Sequence, residues 1–230
     1  MRSSIATLIL TYNEEDNIRD CIESVKWSDE IVVIDSYSED NSVKIALEYT
    51  DKVYKRKFDD FASQRNFGLE KLESEWVLVV DADERVTSNL KEEILDKLSN
   101  HHVQGYKIPR KNYFLGKWIK YCGWYPDYTM RLFKVEGNRY KGLVHEGLEI
   151  KESDELKNPF IHYTYRNIEH YVSKLNHYST LDAEKKYNSG KQRGILYIIL
   201  RPVFEFIKLF ILERGFLLGK EGLFLSILMS

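Results

Sequence analysis

Two periods of apolar residues alternate along roughly the first hundred positions. Residues 5–10, 31–34 and 76–80 are short, near-continuous runs of β-favouring apolar residues. Between them, Ile18, Cys21, Ile22 and Val25 recur at the three- and four-residue spacing of a helix face. The pattern predicts a second, short helix over 43–49, a strand over 52–56 and a helix over 61–72. Another helix is marked by Leu90, Ile94, Leu95 and Leu98, with Thr87 or Ser88 as its N-cap. Apolar strands that alternate with amphipathic helices predict an α/β fold with a mainly parallel sheet covered on both faces.

The middle of the chain reads differently. Residues 105–165 are rich in Tyr, Trp, Gly and Arg, with short β-like pieces at 105–110 and 130–134, as expected of antiparallel strands and loops that complete the sheet. From about residue 167 the pattern turns helical, and from 194 it is strongly apolar but broken by Arg201, Glu205, Lys208, Glu213 and Arg214. No uninterrupted run reaches the ~18–20 apolar residues of a membrane-spanning helix. The chain therefore divides by pattern into a first domain over 1–165, whose character changes at about residue 100, and a helical, amphipathic extension over 166–230.

Composition narrows the function. A net charge of −2 argues against a nucleic-acid partner, which selects for an excess of Lys and Arg. Two cysteines far apart in sequence, Cys21 and Cys122, make neither a metal motif nor a disulfide framework, and they fit a cytoplasmic setting.

Chemistry gathers where strands end. In parallel α/β sheets, ligands bind beyond the carboxyl ends of the strands. Here the first strand runs into Thr11-Tyr12-Asn13-Glu14, the second into Asp35-Ser36, and the clearest into Asp81-Ala82-Asp83. Carboxylates one residue apart repel each other, and burying them without a cation is costly. A divalent ion with oxygen ligands, Mg²⁺ or Mn²⁺, relieves that conflict and leaves positions open for phosphate oxygens.

These stretches, in this order, resemble glycosyltransferase family 2: Thr11-Tyr12-Asn13-Glu14, residues 31–36, Gln64-Arg65-Asn66 and residues 76–84. Gly116-Lys117-Trp118, Gly123-Trp124-Tyr125-Pro126, Arg131-Leu132-Phe133 and Val144-His145-Glu146 are similar to the bacterial lipopolysaccharide-core β-glucosyltransferase branch. The resemblance spans nearly the whole chain. It implies a GT-A type nucleotide-diphospho-sugar transferase fold over 1–165, with a donor half over about 1–100 and an acceptor half over about 101–165, and an inverting transfer of a hexose, with UDP-glucose as the favoured donor. The acceptor it implies is a saccharide of the lipopolysaccharide core or another cell-envelope glycan.

Carried over by position, the resemblance implies that Thr11, Asn13, Glu14, Asp35, Arg65, Asp81 and Asp83 bind the donor. It implies Asp83 as the principal metal ligand, with Asp81 beside it and His162 as a third candidate. It implies Glu146 as the base that deprotonates the acceptor hydroxyl, aided by His145, with Asp127 as the competing base. Trp118, Trp124, Tyr125 and Arg131 form the acceptor side, since aromatic rings stack on the apolar faces of sugars. A lipid-linked acceptor places the protein on the cytoplasmic face of the inner membrane, touching its surface through residues 195–230. Two alternatives use similar residues: a metal-dependent phosphohydrolase of the Asp-x-Asp type and a non-catalytic nucleotide-sugar-binding module.

Overall fold

The computed structural model describes residues 2–142, 147–148, 150–165 and 194–230, and between 167 and 190 only 167–169, 171–172, 175–176, 179–180, 183, 187 and 190. The chain forms two compact units, Met1–Arg110 with Asp127–His162, and Lys111–Pro126 with Tyr163–Ser230. Segment 111–126 thus groups with the C-terminal residues, a partition that a contiguous reading of the sequence does not see.

In the first unit the elements are β1 (Ile5–Thr11), α1 (Ile18–Val25), β2 (Glu30–Asp35), α2 (Ser42–Ala46), β3 (Val53–Lys55), α3 (Phe61–Leu69), β4 (Trp76–Asp81), β5 (Glu84–Val86) and α4 (Ser88–Ser99). Then come β6 (Gly105–Phe114), which runs on into the second unit, and β7 (Lys117–Trp118) of that unit. They are followed by β8 (Asp127–Lys134), β9 (Tyr140–Lys141), β10 (Gly147–Leu148), β11 (Ser153–Glu155) and β12 (Phe160–Tyr165). The sheet order is β3-β2-β1-β4-β8-β6-β12-β5, with β7 and β11 also paired to β6. β1 lies parallel to β2 and β4, and β2 parallel to β3. β8 returns antiparallel to β4, and β6 antiparallel to β8.

The apolar runs explain the central strands. Ile5, Ile9, Val33, Leu78 and Val80 pack under α1 and α4, against Cys21, Ile22, Leu90 and Ile94. Leu8, Val32, Ile34, Val77 and Val79 fill the other face beneath α3. A strand buried on both sides is apolar on both faces, which is why alternation is absent from these runs, and the one polar member, Thr7 of β1, is satisfied by the Ser28 hydroxyl at 2.6 Å. Gly68 lets α3 come down onto the sheet, because a Cβ there would collide with the Leu8 side chain. At α4 the cap is Thr87, whose side chain accepts from the Leu90 N–H at 3.2 Å. The helix expected over 61–72 ends at Leu69, and the strand at residues 84–86 is too short for periodicity to reveal.

The second unit has its own small core. Phe114, Ile119 and Cys122 pack with Leu209, Leu218 and Leu225. Lys117 Nζ donates to the Leu218 carbonyl at 2.6 Å and pairs with Glu221 at 2.8 Å. Its C-terminal part holds helices Ile195–Ile207 and Lys220–Leu228, joined by a π turn and a 3-10 turn.

Candidate active site

Register alone assembles the carboxyl edge of the first unit's sheet. Thr11 is paired with Asp35 across β1 and β2, and Leu10 with Asp81 across β1 and β4. Thr11, Asp35 and Asp81 therefore form a row of three adjacent strand ends, Thr11 and Asp35 on one face of the sheet and Asp81, level with Leu10, on the face that α3 covers. Asp35 is fully buried. Its Oδ2 accepts from the Ser38 N–H at 3.0 Å, while its Oδ1, like the Thr11 hydroxyl, has no hydrogen-bond partner among the described residues. A buried carboxylate oxygen left open is costly unless a ligand completes it.

The two loops beside this row are stitched together. The Asn13 N–H donates to Ser38 Oγ at 2.9 Å, and Asn13 Oδ1 accepts from the Glu39 N–H at 2.9 Å. The Glu14 N–H donates to Ser42 Oγ at 2.8 Å, and its carboxylate accepts from Asn17 at 2.7 Å. Asn13 has a positive φ of 52°, a conformation that Asn tolerates better than most residues. The turn thus asks for Asn on backbone grounds as well.

Helix α3 contributes three consecutive side chains, each in a different direction. Gln64 Nε2 donates to Ser36 Oγ at 2.8 Å. Arg65 reaches Asp81 Oδ1 at 3.4 Å, with its guanidinium over the rings of Tyr140 and Phe61. Asn66 accepts from and donates to the backbone of Tyr140, at 2.8 and 3.0 Å, which fixes β9 beside the helix.

Beneath the acidic triplet lies a buried charge network. Arg131 Nη2 donates to Asp81 Oδ2 at 2.6 Å and to Glu84 Oε1 at 3.0 Å. The other oxygen of Glu84 accepts the Asp81 N–H at 3.0 Å. Arg110 grips Asp127 Oδ2 through Nε and Nη2 at 2.9 and 2.6 Å, and approaches Glu84 at 4.0 Å. Burial pushes the Asp81 carboxyl upward, but the charges of Arg131 and Arg65 outweigh it and hold the group far below the usual carboxylate range. For Glu84 burial prevails, aided by the charge of Asp81 and opposed by Arg131, and its pKa is raised.

Asp83 stands apart from this network. β12 pairs antiparallel with β5 so that His162 lies opposite Glu84. That register brings His162 Nε2 to 3.4 Å from Asp83 Oδ2. Burial lowers the affinity of the imidazole for a proton, but the hydrogen bond and charge of Asp83 outweigh it, and the net shift is upward. Among the described residues, no group of three or more His, Cys, Asp or Glu is arranged as a complete metal cage.

Of the residues expected from sequence, Thr11, Asn13, Glu14, Asp35, Arg65, Asp81, Asp83 and His162 all belong to this part of the first unit. Arg131, expected on the acceptor side, is buried with its guanidinium on Asp81 and Glu84. Asp127 is tied to Arg110. Trp118, Trp124 and Tyr125 belong to the second unit. There Trp118 meets Tyr125 edge to face at 5.4 Å, Lys111 lies 4.4 Å from the Trp118 ring, and Trp124 packs on Phe114. Glu146 and His145 lie outside the described residues. Sequence reasoning missed the role of Glu84. The only sign of Glu84 is a carboxylate two positions before Val86 on one strand face, where the apolar neighbour marks the inward side.

The sheet is mixed, and carboxylates gather at the carboxyl ends of its parallel strands, the edge at which open α/β sheets bind their ligands. The family model described as glycosyl transferase family 2 matches residues 7–146, and the chain belongs to that family of glycosyltransferases. The phosphohydrolase alternative is thereby set aside. The chain is 28% identical over 233 residues to the lipopolysaccharide core biosynthesis glycosyltransferase LpsC of Rhizobium meliloti, covering 95% of this chain and 84% of LpsC. It is also 28% identical over 248 residues to an uncharacterized glycosyltransferase of Rickettsia typhi, covering 98% and 82% of the two chains.

Among solved structures, Staphylococcus aureus TarS 1–349 in complex with UDP-GlcNAc aligns with a TM-score of 0.52 at 18% identity, over 74% of this chain and 61% of that one. Glucosyl-3-phosphoglycerate synthase from Mycobacterium tuberculosis, in complex with Mn²⁺ and UDP-glucose, aligns with a TM-score of 0.52 at 16% identity, over 73% of each chain. At these identities the likeness establishes the GT-A fold.

Proposed function

We propose that this glycosyltransferase moves a hexose, glucose by preference, from a UDP-sugar to a saccharide acceptor with inversion at the anomeric carbon. The acceptor is a lipopolysaccharide core or a related cell-envelope glycan at the cytoplasmic face of the inner membrane. The observation that carries the donor half is the row Thr11, Asp35 and Asp81, with the open oxygen of Asp35 buried in it. In this reading Asp35 and Thr11 take the N–H and hydroxyl groups of the nucleoside, flanked by Asn13 and Glu14.

The residues present also fit a divalent cation. Arg131 and Arg65 already balance the charge of Asp81, whereas Asp83 and His162 offer a carboxylate oxygen and an imidazole nitrogen side by side. That mixed set suits Mn²⁺, and the carboxylates suit Mg²⁺. When bound, the ion supplies Lewis-acid neutralisation of the departing diphosphate. The chain's own cations act with it: Arg65 faces the row from α3, and Arg131 keeps Asp81 ionised and fixed. Glu146 serves as the base that takes the acceptor proton, with His145 beside it, and the rings of Trp118, Trp124 and Tyr125 serve the acceptor sugar.

The test is a panel of UDP-, GDP-, ADP- and CMP-sugars, with and without Mn²⁺, for donor binding and slow donor hydrolysis. Metal-dependent turnover of one UDP-sugar that disappears in Asp83→Ala is the expected result. No binding to any member, with Asp83→Ala indistinguishable from wild type, overturns the donor site. Glu146→Gln separates an enzyme from a mere binding module: transfer falls by about 10²–10⁴-fold while donor binding stays. Asp127→Asn, which alters a carboxylate held by Arg110, costs less.

A further inference from the structure

The helix Ile195–Ile207 has no buried residue, although ten of its thirteen side chains are aliphatic, Phe or Tyr. Ile195 is 73% exposed, Leu196 66% and Phe204 62%, and Ile198, Ile199 and Val203 are exposed as well. At about 100° per residue these positions wrap roughly two-thirds of the helix circumference. Exposed apolar positions continue beyond it at Leu212, Phe216, Leu217, Phe224 and Ile227. Scattered apolar residues need no explanation, but a contiguous surface of this kind marks an interaction site.

The remaining strip of the helix is narrow and polar. Tyr197, Arg201, Glu205 and Lys208 follow one another at spacings of four, four and three, so they share one line. Arg201 donates to the Tyr197 hydroxyl at 2.9 Å and lies over its ring at 5.6 Å, and Lys208 pairs with Glu205 at 3.6 Å. Arg214 and Lys220 add exposed positive charge farther along.

We infer that this surface enters one leaflet of an anionic phospholipid bilayer. A second copy of the chain would cover one side of such a helix and leave the rest in water. Acyl chains solvate two-thirds of a circumference at once, and only the Tyr-Arg-Glu-Lys strip then needs to face headgroups, where Tyr and long cationic side chains are at home. Thirteen residues make a helix about 20 Å long, against a hydrocarbon core of about 30 Å. No helix among the described residues is long and apolar enough to cross a membrane, so the contact is made from one side. Arg201, Lys208, Arg214 and Lys220 outnumber Glu205, Glu213 and Glu221, and since Glu213 and Glu221 are part-buried and Glu221 is paired with Lys117, the exposed charge is positive and matches phosphatidylglycerol-type headgroups.

This bilayer contact gives a physical agent to the membrane location proposed above, yet it is separable from sugar transfer because its residues lie outside the donor site. The experiment is flotation of the full chain with phosphatidylethanolamine–phosphatidylglycerol vesicles and with phosphatidylcholine vesicles. Beside it runs a variant carrying Leu196→Glu, Ile199→Glu and Phe204→Glu, all at exposed positions. Wild type floats with the anionic vesicles, the variant floats at least about tenfold less, and UDP-sugar hydrolysis is the same in both. Floating with donor hydrolysis absent from both proteins strikes the sugar-transfer reading and leaves the bilayer contact standing. Three results overturn the contact: wild type stays in solution with both vesicle types, the variant floats like wild type, or wild type forms a discrete dimer that the variant splits while neither floats.

Discussion

Strand β4 and the helix Ile195–Ile207 are both strongly apolar, and they meet opposite fates. Trp76, Val77, Leu78, Val79 and Val80 are each completely buried, whereas the helix buries no residue at all. The difference lies in what each segment is given to pack against. β4 has β1 and β8 as neighbours and helices over both faces, so its side chains leave water as the unit folds. Among the described residues nothing gives the exposed helix such cover. Hydrophobicity states that a segment must leave water; the surrounding topology decides whether folding alone can achieve it.

The sharpest way to break this comparison is to truncate one side chain in each segment. Leu78→Ala, which opens a cavity between sheet and helices, should cost about 2–5 kcal/mol in denaturant unfolding. Ile199→Ala, at an exposed position, should stay within about 0.5 kcal/mol. Equal losses at the two positions would mean that the helix is covered in solution after all.

A smaller effect is expected at the charged end of β4. Glu84→Gln keeps an oxygen for the Asp81 N–H but leaves Arg131 and Arg110 without the Glu84 charge. It should cost about 1–3 kcal/mol of stability, read in urea, and lower donor turnover because Arg131, which fixes the Asp81 carboxylate, loses the charge of its second partner. Unchanged turnover with lowered stability would reduce Glu84 to a structural role.

The smallest effect belongs to the opposite edge of the sheet. Burial raises the pKa of Glu30, but the ammonium of Lys52 and the Glu73 N–H outweigh it and the net shift is downward. A depressed carboxylate stabilises the fold above its unfolded pKa of about 4.3, and that contribution drains away as pH falls through the lower folded value. Glu30→Gln should therefore lower the urea midpoint at pH 7, where the contribution is fully present, and the gap to wild type should close as pH falls below about 4.3. An identical acid limb in the variant would remove Glu30 from the account.

Much of the first unit can be read from the chain. An unbroken apolar run ending in Asp81-Ala82-Asp83 announces a buried strand and what stands at its tip. The three- and four-residue spacing of Ile18, Cys21, Ile22 and Val25 likewise announces the face that α1 buries. The partners of the carboxylates cannot be read that way. Arg131 meets Glu84 across 47 positions of sequence, and the strand that turns Glu84 inward is three residues long. Register between distant strands creates the contact of His162 with Asp83 as well. For the exposed helix the apolar pattern is plain in the sequence, but its lack of cover emerges only from the fold.

The central claim is that the row Thr11, Asp35 and Asp81 receives the nucleoside of the donor, and calorimetric titration of UDP into wild type and Asp35→Asn tests it most directly. Asparagine keeps an oxygen for the Ser38 N–H and replaces the open Oδ1 by an amide group, so the fold is preserved while the acceptor of the nucleoside is lost. The account predicts UDP binding to wild type that weakens by at least about tenfold in the variant, the scale of a hydrogen bond to a charged group. Equal affinity in the two proteins would contradict it.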